Sequence, residues 1–388
     1  MPIQQYVFLD NNATTPCDPA VLEAMSPYFA GYYGNPASGH GHGRKALDAV
    51  AVGRHFIAEA IQCDEDQIFF TSGASESNNI VLLGSAHQSA PRRHRIVTSR
   101  VEHKSILGPT TWLAENGFEV VVLPVNQCGI IDLDAAATAI NENTLMVSIQ
   151  TANNEVGTIQ PVKRVVEIAQ SVGALVHCDA TQSLGKLPIS VTELNVDFAS
   201  FSGHKLYGPK GIGALYARKR SLLNPISFGG GQESDLRPGT LNVPGIVGFG
   251  EAAALSTRLL GAEALRIQKM RDTMEKELLA NIPSSFIVGG DVERLPGTFG
   301  ICIEGVPADA LLARTPQVCA GTGSACTSGA PEPSHVLLAC GLSRNQAKSV
   351  IRISIGRFTT SEELAFACDE LIANANYIQS VCHQTRNP

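Results

Sequence analysis

Residues 174–217 read ALVHCDATQSLGKLPISVTELNVDFASFSGHKLYGPKGIGALYA. Three runs within it, ALVHC (174–178), VDFASF (196–201) and IGALYA (212–217), are short, apolar and bounded by Gly, Pro, Ser or Asp. Such runs are the mark of strands buried in a sheet. Upstream the same kind of run recurs as QIFF (67–70), RIVTS (95–99), EVVVL (119–123) and TLMVSI (144–149). Helix-like segments separate them, for instance Val162 to Val172, which begins directly after Pro161. The alternation predicts βαβ units and an α/β fold with one large, mostly parallel, seven-stranded sheet.

Beyond Pro244 the pattern changes. Leu260, Ala264, Ile267, Met270, Met274 and Leu278 recur every three or four residues, the stripe of one long helix that bridges two domains. Short strands (Thr298 to Ile303, Ser349 to Ser354) and a closing helix from about Ser361 then suggest a smaller α+β domain. The expected division is a large domain over 15–255 and a small one formed by 1–14 with 256–388. A chain of 388 residues is long enough for both.

Composition narrows the function. With 44% hydrophobic and 17% charged residues, the chain has the balance of a globular enzyme. A net charge of −7 argues against coating nucleic acid, which demands surplus Lys and Arg. The basic cluster Arg92-Arg93-His94-Arg95 reads as a solvated loop. No signal peptide and no apolar span of bilayer length is visible, so a cytoplasmic protein without a membrane partner is expected. Ten scattered cysteines form no CxxC pair, which favours reduced thiols over a disulfide framework or a structural metal.

Lys205 lies just past a buried-type strand, in Ser202-Gly203-His204-Lys205, before the glycine-rich turn Tyr207 to Gly213. That placement suits a lysine forming a Schiff base with an aldehyde cofactor, although lysines beside glycine turns also serve structural or surface roles. Asp179 ends the preceding strand, where open α/β sheets place their ligands. It suits the acid partner of a pyridoxal ring nitrogen, and equally a helix N-cap if read alone. Thr71-Ser72-Gly73-Ala74-Ser75-Glu76-Ser77-Asn78 follows QIFF and opens a helix whose amides could hold a phosphate. An ordinary capping box over Ser72 to Ser75 explains the same segment.

The chain resembles the group I cysteine desulfurases of the NifS and IscS kind, in the class V branch of fold-type I pyridoxal-phosphate enzymes. The resemblance runs through LDNNATTP (9–16), TSGASESNN (71–79), VEHKSIL (101–107), ANNEVGTIQP (152–161), HCDATQSLGK (177–186), SGHKLYGPKGIGALY (202–216), GGGQE (229–233) and GSACTSGAPEPSHVL (323–337). It implies pyridoxal 5'-phosphate as cofactor, with Lys205 as Schiff-base lysine and general base and Asp179 at the ring nitrogen. It further implies His103 stacked on the ring and assisting proton transfers, with Gln182 and Asn154 near the ring hydroxyl and substrate. Ala74, Ser75, Ser202 and His204 would hold the phosphate, joined by Thr240 from the second subunit of a homodimer. Arg352 would clamp the carboxylate of L-cysteine.

Cys326, in a loop of glycines and small residues (321–329), would take the sulfur as a persulfide and carry it to an acceptor protein. The implied reaction converts cysteine to alanine. A selenocysteine lyase or class V aminotransferase would share Lys205 and Asp179, and a sulfur-relay scaffold would keep the fold without catalysis. Acceptors in iron–sulfur cluster assembly, tRNA thiolation and DNA phosphorothioation are all open. Leu236-Arg237-Pro238-Gly239-Thr240 has Pro where many housekeeping relatives carry Ser, and resembles desulfurases serving DNA phosphorothioation. The end at Pro388 lacks the longer tail with which housekeeping members meet their iron–sulfur scaffold, and Ser75 replaces the usual Thr.

Three other features carry less. Gly39-His40-Gly41-His42-Gly43 has histidines but no further ligand at metal spacing, and reads as a flexible loop near the pocket. Cys319 reads as a buried strand-end cysteine. Gly229-Gly230-Gly231 lacks the spacing of a nucleotide fingerprint.

Overall fold

A computed structural model describes residues 6–89, 93–322 and 332–384. β1 (Val7–Leu9) is followed by the strands of the large sheet: β2 (Ile68–Thr71), β3 (Arg95–Ser99), β4 (Glu119–Leu123), β5 (Thr144–Gln150), β6 (Leu175–Asp179), β7 (Phe198–Ser202) and β8 (Gly213–Ala217). Their order is β2-β8-β7-β6-β5-β3-β4. β8 runs antiparallel to both neighbours, and the other pairs are parallel. Helices cover both faces, so every residue of β2, β5, β7 and β8 is buried, whereas in the edge strand β4 only Leu123 is buried. Phe70, Val147, Val176 and Phe201 fill one side of the sheet, and Phe69, Met146, Phe198 and Leu215 fill the other.

A second sheet holds β1 with β9 (Ser285–Val288), β10 (Thr298–Ile303), β11 (Val318–Thr322) and β12 (Val350–Ser354), in the order β1-β11-β12-β10-β9. The first strand of the chain thus pairs with one more than 300 positions later. Leu9, Phe299, Ile301 and Ile353 form its core with the closing helix Ser361–Gln384.

One helix, Val243–Asn281, threads both cores. Asn242 caps it by accepting from the Gly245 amide at 3.1 Å. Its first half buries Ile246, Phe249, Ala252 and Ala253 against the large sheet, and its second half buries Ile267, Met270, Met274 and Leu278 against the small one. Leu260 and Ala264, expected on the same buried stripe, are only half-buried, because the helix changes partners there.

The structure corrects four further expectations. Strand ends move by one or two residues; Gln67, for instance, closes a turn capped at Asp64, so β2 begins at Ile68. The described part of the basic cluster is not freely solvated. Arg93 donates to the carbonyls of Thr144, Val172 and Gly173, and Arg95 pairs with Glu119 at 2.8 Å. Of residues 39–43 the last three open the helix Gly41–Ile61 instead of extending a loop, and His40 caps that helix by accepting from the Gly43 amide at 3.2 Å. Cys319, on β11, is half-buried rather than buried. Among the described residues no helix is long and apolar enough to cross a membrane.

Candidate active site

Parallel strands deliver their following loops to one edge of the sheet. Here Asp179 ends β6, Ser202 ends β7, and the loops after β2 and β3 join them around a cavity of about 570 Å³. Ala74, Ser75, His103, Asn154, Asp179, Gln182, Ser202, His204 and Lys205 all line it. Arg352 and Thr240 do not, and Cys326 lies outside the described residues. Arg352 reaches the rim, where Nη1 donates to the Asn154 carbonyl at 3.3 Å. Thr240 is exposed on the loop between β8 and the long helix.

The chain turns sharply after Lys205 because Tyr207 adopts φ 66°, a left-handed conformation costly for a side-chain-bearing residue. Two contacts hold it there: its amide donates to Thr15 Oγ1 at 2.8 Å, and its hydroxyl accepts from the Arg357 amide. Lys205 Nζ donates to the carbonyls of Asn12 (2.6 Å) and Ala13 (2.8 Å). Among the described residues no carboxylate pairs with it directly. Burial, followed by the nearby Arg352 charge, brings the Lys205 amine down to about 8, with Asp179 and Asp10 pulling the other way.

Asp179 is buried, with Oδ2 accepting from Asn78 Nδ2 at 2.9 Å and Oδ1 accepting from the amide and hydroxyl of Thr181. Asn78 in turn donates to Ser105 at 2.8 Å. His103 caps the helix Lys104–Glu115, and Nδ1 accepts from the Ser105 amide at 3.1 Å. Burial pushes this imidazole down, outweighing the pull of Asp179, so the neutral ring carries its proton on Nε2. Gln182 donates to the Asn12 carbonyl at 3.0 Å and accepts from Lys186 Nζ at 2.7 Å.

At the other end of the cavity the helix Ala74–Ser89 begins, with first-turn amides that have no intrahelical acceptor. The Ser72 amide donates to the Glu76 carboxylate in the first turn, not to Ser75 as a capping box over Ser72 to Ser75 would have it. Gly213 packs tightly under this loop. A Cβ there would fall 2.5 Å from Gly73 Cα. The Ser202 hydroxyl lies opposite, His204 bonds Thr14 at 3.1 Å, and Lys210 lines the wall. Burial and the charges of Lys205, Lys210 and Lys186 push the His204 ring down to about 4, so it stays neutral.

The donor set fits pyridoxal phosphate: an amine depressed toward nucleophilicity, a fixed carboxylate, a neutral imidazole and a helix N-terminus share one space. Sequence reading missed Lys210, Asn78, Thr181 and Lys186. All four stand inside quoted motifs, but nothing in their spacing shows whom they touch.

The profile described as "Aminotransferase class-V" matches residues 7–366. The chain belongs to the class-V aminotransferase family. Within it, the NifS/IscS branch is the near kin: a cysteine desulfurase IscS from Rickettsia typhi is 40% identical over 378 residues, covering 97% of this chain and 92% of its own. A solved "NifS-like protein" superposes with a TM-score of 0.90 at 36% identity, covering 96% of this chain and 100% of its own. A structure titled "SspA in complex with cysteine" gives 0.81 at 36% identity, covering 91% and 100%. The class-V fold of these relatives is the fold found here.

Proposed function

We infer that the protein is a pyridoxal-phosphate-dependent cysteine desulfurase, taking sulfur from L-cysteine to yield L-alanine and a persulfide on Cys326. The observation that carries the reading is one cavity holding the depressed Lys205 amine, Asp179 and the amide-rich start of the helix Ala74–Ser89, in a chain about 40% identical to cysteine desulfurases.

Pyridoxal phosphate, when bound, supplies an aldehyde for amine capture and an electron-poor ring that stabilises negative charge on the adjoining carbon. The chain's residues do the rest. Ala74, Ser75, Ser202 and His204 would hold the phosphate, and Asp179 would accept a hydrogen bond from the ring nitrogen. Lys205 would remove the substrate α-proton, a role suited to an amine near 8. His103, which lines the cavity, would stack on the ring and offer its Nε2 proton. Arg352 takes the substrate carboxylate at the Asn154 rim. Cys326 thiolate attacks the substrate sulfur: an S–S bond forms, the C–S bond breaks, and its electron pair stays with carbon, to be protonated to alanine.

Thr240 does not line this chain's cavity but sits exposed on a loop with Phe228, itself 86% exposed. Both features support a homodimer in which each copy lends its Thr240 to the other's phosphate site. The two apolar cores support the division at 15–255 against 1–14 with 256–388. An acceptor protein removes the sulfur, and Pro238 supports one serving DNA phosphorothioation over iron–sulfur assembly or tRNA thiolation.

Cys326→Ala tests the central claim. The variant should keep the cofactor's visible absorbance and form no persulfide. Alanine and sulfide appearing from cysteine at the wild-type rate would remove Cys326 from the mechanism.

A further inference from the structure

Three neighbouring strands of the small sheet bring Asp10, Gly321 and Arg352 together. Leu9 pairs with Ala320 and Gly321 with Arg352, so Asp10, one residue past β1, stands beside both. Asp10 Oδ1 accepts from Arg352 Nη2 at 2.6 Å. A Cβ on Gly321 would fall 2.8 Å from Nη2, 2.9 Å from Nε and 3.0 Å from Asp10 Oδ1. The backbone of β11 and the Asp10 carboxylate therefore close the Nε–Nη2 side of the guanidinium. Nε is buried and has no acceptor among the described residues. The open end is the one that reaches Asn154, whose carbonyl takes Nη1 at 3.3 Å and which lines the cavity.

Around Arg352 the charges are unbalanced. Lys186 and Lys205 lie close enough that Arg352 lowers both amines, after burial as the larger cause. Glu155 lies near enough to feel Arg352, but its carboxyl accepts from Ser334 and burial raises it. Asp10 is the carboxylate that touches the guanidinium directly.

We propose that Asp10 is a positioning residue for substrate recognition: it holds the Arg352 fork with its free end turned to the Asn154 rim, and Gly321 provides the room. This rests on the reading of Arg352 as the clamp for the cysteine carboxylate. Without the Asp10 carboxylate, Nη2 loses its acceptor and the buried guanidinium is no longer held at the rim, so the carboxylate site is lost while the cofactor site stays intact.

The test is binding to the holoenzyme of L-alanine, which has a carboxylate, and L-alaninamide, which has none, each followed by the change in visible absorbance. Asp10→Asn should weaken L-alanine by about tenfold, the scale of one charge-assisted hydrogen bond. L-alaninamide should be unchanged, and Asp10→Glu should recover part of the loss. If Arg352→Gln loses the preference for L-alanine while Asp10→Asn keeps it, the positioning role is overturned and the clamp stands. If Arg352→Gln also keeps it, the clamp reading fails and the role of Asp10 falls with it. Should Asp10→Asn not fold, Gly321→Ala crowds the guanidinium with all charges in place. It should lower L-alanine affinity alone, and unaltered affinity would overturn the proposal.

Discussion

The two sheets present their polar residues differently. The large sheet offers side chains from the ends of its strands: Asp179 closes β6, and Lys205 follows β7 by three residues. Asp179 is held by Thr181 two residues on and by Asn78 from the helix after β2, and Lys205 by the backbone carbonyls of Asn12 and Ala13. The small sheet offers Arg352 from the middle of a strand, held by an aspartate 342 positions away. A strand-end residue announces itself through the loop that follows. A cross-sheet pair exists only once the strand order is known.

The comparison separates chemistry from recognition, and paired substitutions can break it. Lys205→Ala should lose the cofactor-linked absorbance and at least about a thousandfold in turnover of cysteine, because nucleophile and base vanish together. Arg352→Gln should keep the absorbance and lose roughly ten- to a hundredfold in kcat/KM, chiefly through KM. Steady-state rates on cofactor-loaded protein decide the matter. If both variants act mainly on kcat, the division of labour between the sheets is wrong.

The seam between the sheets gives the next effect. Arg357, 7% exposed at its side chain, bonds Asp18 at 2.9 Å, Glu263 at 2.8 Å and Ser256 at 3.2 Å, and lies 4.2 Å from the centre of the Tyr207 ring. These partners join the N-terminal segment, the long helix and the turn after Lys205 to the small sheet. Arg357→Met takes the cation from buried Asp18 and half-buried Glu263 and should cost about 3 kcal/mol in urea unfolding. A loss below about 1 kcal/mol would mean that the apolar cores alone hold the sheets together.

Legibility in the sequence follows the same division. The seven large-sheet strands were readable because burial on both faces leaves uninterrupted apolar runs such as TLMVSI. Lys205 and Asp179 were readable because each ends such a run. Asp10, Lys186 and Asn78 were not, since their meaning is a contact: Lys186 Nζ with Asn12 Oδ1 at 2.9 Å, Asn78 with Asp179. The long helix was readable as a helix, but where its buried face would pass from one core to the other was not. That depends on two sheets assembled from distant parts of the chain.

The smallest effect tests how far the small sheet reaches into the chemistry of the large one. Burial first, and Arg352 second, bring the Lys205 amine from 10.5 to about 8. Only the unprotonated amine captures an aldehyde, so the apo protein's initial rate of pyridoxal phosphate uptake should rise with pH and reach half its plateau near 8. An ordinary lysine would place that midpoint above 10. Arg352→Gln removes a positive neighbour, makes the ammonium easier to hold, and should move the midpoint up by roughly half a pH unit. Asp10→Asn removes a negative neighbour and should move it down. Opposite displacements from two residues of the small sheet would show that the clamp also tunes the base, whereas a midpoint above 10 in the wild type would sink both the burial argument and the coupling.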